Sequence, residues 1–264
     1  MIIEKLVIKT GTACTLQCEK CGEFNPYLSK KRKSYMLAAE TLSRDLYRIA
    51  QAVEKIETVH IAGGEALLHK DLFLFLAFAY ALSNVEKIEI VTNGTVVPDN
   101  LLLALLRGMQ SKVIVLISDY SLSGVDSSGV VDVLRKNGIS HYVMKDIRWQ
   151  DRSDVSCKQL DREELLEIAQ NCKSYRQNPY FTLIDGIISA HCPTAGSLLY
   201  YLDIYEECGK NYRDIRRIPD EKVLSELSAI NNVECLRMCN YCVPSWKVKE
   251  CQAAKQIKRQ GENI

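Results

Sequence analysis

The sequence of 264 residues lacks an apolar run long enough to cross a bilayer. Its longest, Leu72 to Leu82, falls well short of the roughly 20 residues that a spanning helix needs. Asp71 just before that run reads as a helix N-cap. Charge of one sign is lacking as well: a net charge of +1 excludes a global field favouring nucleic acid or an acidic membrane. Because Met1 leads straight into alternating apolar positions, no export signal and a cytoplasmic protein are expected. No internal repeat of the whole unit and no low-complexity tract interrupts the chain. What remains, 47% hydrophobic and 25% charged residues, is ordinary for a globular protein. The length suits one large domain, or one medium and one small domain.

What the sequence has in excess is cysteine, with eleven in the chain. In a reducing compartment these are not expected to pair as disulfides, and the odd total fits complete pairing poorly. Cytosolic thiolates more often mean metal or catalysis.

Strand and helix alternate through the first half. Strands are expected at Ile2 to Lys9, Thr58 to Ala62, Lys87 to Thr92, Val113 to Ser118 and Ser140 to Met144. Helices are expected at Glu40 to Val53, Asp71 to Leu82, Pro98 to Arg107 and Ser128 to Lys136. The second of these is apolar nearly all round, so it is expected to be buried or at an interface. This α/β rhythm argues for parallel strands joined by crossover helices, in a partial barrel or a doubly wound sheet. Either way, functional loops belong at the C-terminal ends of the strands. The pattern changes near residue 150. A helix over Leu160 to Cys172 and a hairpin turning at Asp185-Gly186 then introduce a smaller second domain, 151–264.

Cys14, Cys18 and Cys21 follow the first strand directly. Three thiolates on a short loop can hold three irons of a four-iron cluster, leaving the fourth iron open to a small chelating molecule. A structural zinc site needs a fourth ligand nearby, and the nearest histidine is His60. Gly63-Gly64-Glu65 ends the second strand, where paired glycines permit close approach and a carboxylate suits an ammonium group. Thr92-Asn93-Gly94 ends the third, offering a hydroxyl and an amide to a polar ligand. Each motif alone is a common turn, but their order along the strand ends is specific.

In these residues the chain resembles the radical S-adenosylmethionine (SAM) superfamily, whose marks are a CxxxCxxC loop after the first strand and GGE after the second. The resemblance implies a partial (β/α) barrel over residues 1–150, with a [4Fe-4S] cluster on Cys14, Cys18 and Cys21. It implies SAM chelating the open iron, with Gly63, Gly64, Glu65, Thr92, Asn93 and Ser118 beside it. Two positions depart from the family. Lys20 stands where many members have an aromatic, and Ala66 replaces the proline of GGEP.

Cys235, Cys239 and Cys242 repeat the CxxxCxxC spacing, but no strand–GGE–TNG series follows them. The C-terminal part instead resembles the twitch domain, a shortened form of the SPASM auxiliary-cluster domain. Cys172 before the hairpin, Cys192 after it, and Cys239 with Cys242 match the ligands of a second, fully ligated four-iron cluster. Four thiolates leave no open iron, so such a cluster is an electron relay. Cys235 is an alternative to one of these four. Cys157, Cys208 and Cys251 read as small or inert thiols.

The resemblance implies hydrogen abstraction by a 5′-deoxyadenosyl radical. An auxiliary electron acceptor favours net oxidation, such as alcohol to ketone on a sugar or cyclitol, as in twitch dehydrogenases of aminocyclitols. Such oxidation needs a base for the hydroxyl proton. Asp119 and Tyr120 after the fourth strand and the segment Arg148-Trp149-Gln150-Asp151-Arg152 after the fifth are candidates, with Arg148 or Arg152 as an anchor for a substrate hydroxyl or anion. The rivals are a peptide maturase forming thioether or C–C crosslinks, an epimerase using Cys157 or Cys208 as hydrogen donor, and a non-enzymatic iron–sulfur scaffold. The basic run Lys30-Lys31-Arg32-Lys33 reads as a solvated loop face, or as a dock for a flavodoxin- or ferredoxin-type electron donor.

Overall fold

Side chains along Ile2–Lys9 (β1) point alternately to two faces, as in any strand. Leu6 and Ile8 bury one face completely among helices, while Lys5, Val7 and Lys9 share the other, which lines a cavity. The same logic builds a parallel series in a computed structural model that describes residues 1–27, 35–176 and 180–257. Ala39–Ala52 (α1) leads to Lys55–Ala62 (β2), Leu72–Ala81 (α2) to Val85–Thr92 (β3), and Asn100–Gly108 (α3) to Val113–Ser118 (β4). Ser128–Lys136 (α4) then leads to His141–Met144 (β5). Strands β1 to β5 pair in parallel, so their C-terminal ends, and the loops that follow them, gather on one edge.

The expected elements are present, with local differences at their ends. Asp71 does stand at the start of α2, but its side chain makes no capping bond. Asp99 caps α3 by accepting the Leu102 N–H at 2.8 Å, and Pro98 lies just outside. Helix α2 buries only Leu72, Phe75, Leu76 and Ala79; Leu74, on the other side, is 52% exposed.

Beyond residue 150 the chain adds to the same sheet. Arg162–Asn171 (α5) starts with a capping box between Asp161 and Glu164, and the short helix Lys173–Arg176 (α6) follows. Tyr180–Ile184 (β7) and Ile187–His191 (β8) form the expected hairpin, which extends the first sheet because β7 pairs in parallel with β1. Asp185 and Gly186 turn with φ of 47° and 81°, the left-handed pair that a two-residue hairpin needs. Pro193–Leu202 (α7), Tyr212–Asp214 (β9) and Val223–Asn231 (α8) complete this part. The eight-stranded order is β5-β4-β3-β2-β1-β7-β8-β9. Phe181, Leu183, Ile188, Leu227 and Ile230 share the main core with β1 to β5, and Cys192, Leu199, Cys208, Leu236 and Met238 form a smaller one. Arg216 fastens the two parts, donating to the buried Asp45 of α1 at 2.8 Å and to Asp185 at 2.9 Å.

A further pairing was not visible in the sequence. Arg148–Gln150 (β6) pairs antiparallel with Glu250–Gln252 (β10) near the end of the chain, drawing the C-terminal segment back across the barrel. Among the described residues, no helix is long and apolar enough to cross a membrane.

Candidate active site

Four loops at the strand ends line a cavity of about 420 Å³ that is open to solvent. Its wall includes Cys14, Cys18 and Cys21 after β1, Gly63 and Gly64 after β2, Thr92 and Asn93 at the end of β3, and Ser118 and Tyr120 at the end of β4. Close backbone packing holds the cysteine loop in place. Gly64 N–H donates to Gly11 O at 3.0 Å, and Glu65 N–H donates to Ala13 O at 2.8 Å. A Cβ on Gly64 would lie 1.9 Å from Ala13 O, so the second glycine is required by the protein's own backbone as well as being open to a ligand.

Glu65 departs from expectation. Its carboxylate turns inward and accepts N–H bonds from Asn93 at 2.7 Å and Leu67 at 2.9 Å. It is 1% exposed and does not line the cavity. It ties the end of β2 to the end of β3, which sets Asn93 in place. The Asn93 amide in turn donates to Thr15 Oγ1 at 3.1 Å and approaches Cys14 Sγ at 3.7 Å.

The three loop thiols share this wall. Burial pushes Cys14 upward, Cys18 to about 11 and Cys21 to about 12, so thiolates here need a bound cation to offset their lost hydration. Among the described residues, no three His, Cys, Asp or Glu side chains converge on a single-ion site. Three thiols spread around one cavity fit a cluster in which each binds a different iron.

Several contacts at this loop were not foreseen. Lys20 pairs with Asp151 at 3.2 Å and donates to Ser153 Oγ at 2.9 Å. It thereby joins the loop to the segment after β6. The C-terminal segment crosses the same loop: Gln256 Nε2 donates to Cys18 Sγ at 3.5 Å and its Oε1 accepts Gln17 N–H at 2.8 Å. Nothing in the local sequence around Gln256 marks this role. Lys5 and Lys9, on one face of β1, form part of the cavity floor. Lys9 is buried and pairs with Glu23, and His60 Nδ1 meets Glu89 Oε2 at 2.8 Å. His60, Lys87 and Lys5 hold the Glu89 carboxyl far below the usual carboxylate range.

The proposed acid–base and anchoring residues are placed less favourably. Tyr120 lines the cavity edge-on to Trp149, with ring centroids 5.6 Å apart. Burial pushes its phenol up to about 12, so it keeps its proton and is a donor rather than a base. Asp119 lines a neighbouring cavity of about 480 Å³ instead, with Arg148 and Cys251. Its carboxylate accepts Ser121 N–H at 2.9 Å, which lowers its pKa and its basicity. Arg152 is absent from the large cavity and is turned towards the second cysteine set, so it does not anchor a substrate there.

That second set is also brought together. Cys172, Cys192, Cys239 and Cys242, contributed by three separate chain segments, line one small cavity. Its other walls include Ile168, Tyr175, Ala195 and Pro244. Burial pushes Cys192 to about 11 and raises Cys239 well above the ordinary thiol value. It also raises Cys242, against the opposing pull of the Arg152 guanidinium. Cys235 lies off this wall. Cys157 is exposed, and Cys208 is buried in the smaller core; neither lines the large cavity. The run Lys30-Lys31-Arg32-Lys33 lies outside the described residues.

No family model matches the chain. A 99-residue stretch, 37% of this chain, is 31% identical to GTP 3′,8-cyclase of Geobacter sulfurreducens and spans 29% of that protein's length. Among solved structures, BtrN in complex with AdoMet and 2-DOIA superposes over 97% of this chain and 99% of its own, with a TM-score of 0.58 at 15% identity. Streptococcus suis SuiB bound to S-adenosylmethionine aligns over 54% of this chain and 33% of its own, with a TM-score of 0.43 at 20% identity. The first of these two structural likenesses runs the full length of both chains and shows a shared fold.

Proposed function

We propose that this chain, which has the radical SAM fold, oxidises a hydroxyl-bearing small molecule such as a sugar or cyclitol to a ketone. The observation that carries the reading is the second cysteine set: four thiols from distant parts of the chain around one small cavity, separate from the larger cavity that Cys14, Cys18 and Cys21 line. Cys14, Cys18 and Cys21 would hold the SAM-binding [4Fe-4S] cluster, and Cys172, Cys192, Cys239 and Cys242 an auxiliary one. When bound, these groups supply the electron that cleaves SAM to methionine and a 5′-deoxyadenosyl radical, and an acceptor for the electron that the substrate radical must lose.

The remaining work falls to residues of the chain. Gly63, Gly64, Thr92, Asn93 and Ser118 line the space for SAM beside the three-thiol loop. Tyr120 and Trp149 close one side of the cavity and limit quenching of a radical by water. Lys5, Lys9 and His60 give the floor polar groups for substrate hydroxyls. Loss of the hydroxyl proton needs an acceptor. His60, which lines the cavity and whose Nδ1 meets the Glu89 carboxylate at 2.8 Å, is the candidate for that role. Reduction of the first cluster calls for a flavodoxin- or ferredoxin-type donor.

The test is anaerobic reconstitution with iron and sulfide, followed by turnover with a panel of polyols, aminocyclitols and peptides. About eight irons per chain are expected from two four-iron clusters. Deuterium at the oxidised carbon should appear in 5′-deoxyadenosine together with a ketone product. Crosslinked peptide, with no polyol consumed, would overturn the reading in favour of a maturase.

A further inference from the structure

Arg152 is only 7% exposed, although it carries a permanent charge. Its Nη1 donates to Cys242 Sγ at 3.2 Å and to Val243 O at 2.9 Å, while Nη2 donates to Gln150 Oε1 at 2.5 Å. The Val243 carbonyl and the Gln150 amide thus fix the guanidinium plane independently of the sulfur. Among the described residues, Arg152 is the only charged side chain on the wall of the four-cysteine cavity. It also lines a second cavity together with Cys21 of the first cysteine set, so it borders both.

A buried cation is costly unless a negative charge faces it. Four thiolates around an iron–sulfur core supply that charge, and the negative charge grows by one when the core takes up an electron. No bond forms or breaks in that step. No proton follows either, because the guanidinium stays protonated throughout. A fixed cation donating to a ligand sulfur therefore favours the reduced state over the oxidised one.

We infer that Arg152 is a positioning residue for the second cluster, which holds the Cys242 sulfur and raises the cluster's reduction potential so that it accepts the electron leaving the substrate radical. This rests on the reading of Cys172, Cys192, Cys239 and Cys242 as an auxiliary cluster site.

The experiment is a redox titration of the reconstituted protein with a low-potential chemical reductant, followed by electron paramagnetic resonance. The cluster retained in Cys18→Ala identifies the auxiliary signal, and Arg152→Met and Arg152→Lys are then compared with wild type. Arg152→Met should shift the auxiliary midpoint to lower potential and leave the first cluster's midpoint unmoved. Arg152→Lys, which keeps the charge but loses the fork geometry, should shift it less. Should Arg152→Met fail to hold the second cluster, the shift in Arg152→Lys decides the matter. An auxiliary midpoint equal to wild type at full iron content would overturn the assignment of Arg152 and leave the auxiliary cluster standing. About four irons in wild type would overturn the auxiliary cluster itself, and this inference with it.

Discussion

The two cysteine sets begin with the same spacing and end in different environments. At 14–21 all three cysteines of the CxxxCxxC spacing face one large cavity with a charged floor. At 235–242 the same spacing contributes only Cys239 and Cys242 to a small cavity, and Cys172 and Cys192 complete the wall. Spacing alone does not make a ligand set; what matters is which thiols the surrounding elements aim at a common point. The difference also separates the chemistry. Three thiols beside open space leave room for a chelating ligand and a substrate, whereas four thiols around one small cavity leave no thiol-free position and suit electron transfer. Even the sulfur hydrogen bonds differ: a neutral amide from Gln256 at Cys18, and a guanidinium from Arg152 at Cys242.

The strongest way to break this comparison is to remove one thiol from each set. Cys18→Ala should reduce 5′-deoxyadenosine formation to background while about four irons remain at the second set. Chromatography of the SAM products together with an iron assay checks this, and normal SAM cleavage would refute the three-thiol site. Cys239→Ala should instead keep uncoupled SAM cleavage and lose the oxidised product. Cys235→Ala should change neither iron content nor product; a loss of iron there would restore Cys235 to the ligand set.

A smaller effect tests the packing under the first site. Gly64→Ala places a methyl group against Ala13 O, and a shift of the cysteine loop should cost about 1–3 kcal/mol. Thermal unfolding of the variant should show a lowered midpoint and weakened iron retention at the first set only. The smallest effect concerns the amide at Cys18. Gln256→Ala removes a hydrogen bond worth about 0.5–1.5 kcal/mol and should lower the first cluster's midpoint potential slightly. A shift equal to that of Arg152→Met at the other cluster would show that the charge of the donor does not matter.

Much of the fold was legible because strand and helix periods are local properties. β1 to β5, the helices between them and the Asp185-Gly186 hairpin follow from alternation, apolar periodicity and a turn dipeptide. The β6–β10 pair was not legible. Its two strands are three residues each and lie about a hundred positions apart, so no local pattern announces either. The site divides in the same way. Gly63, Gly64, Thr92, Asn93 and Ser118 line the cavity because each sits at a strand end, which a sequence pattern can locate. The orientation of Glu65 depends on the backbone N–H groups of Leu67 and Asn93, and that of Arg152 on Gln150 and Val243. Asp119 and Tyr120 are neighbours in sequence, yet they line different sets of cavities.

By itself, the sequence determined which residue types are available and where the strands end. Three thiols after β1, a glycine pair after β2 and an amide after β3 must lie on one edge, because parallel strands bring their C-terminal ends together. Only the tertiary structure decided which distant thiols meet, that Cys235 lies off their common wall, and that a C-terminal glutamine reaches the first thiol loop. These outcomes depend on how hairpin, helices and tail pack against a shared core, and contacts between remote segments leave no period in the sequence that forms them.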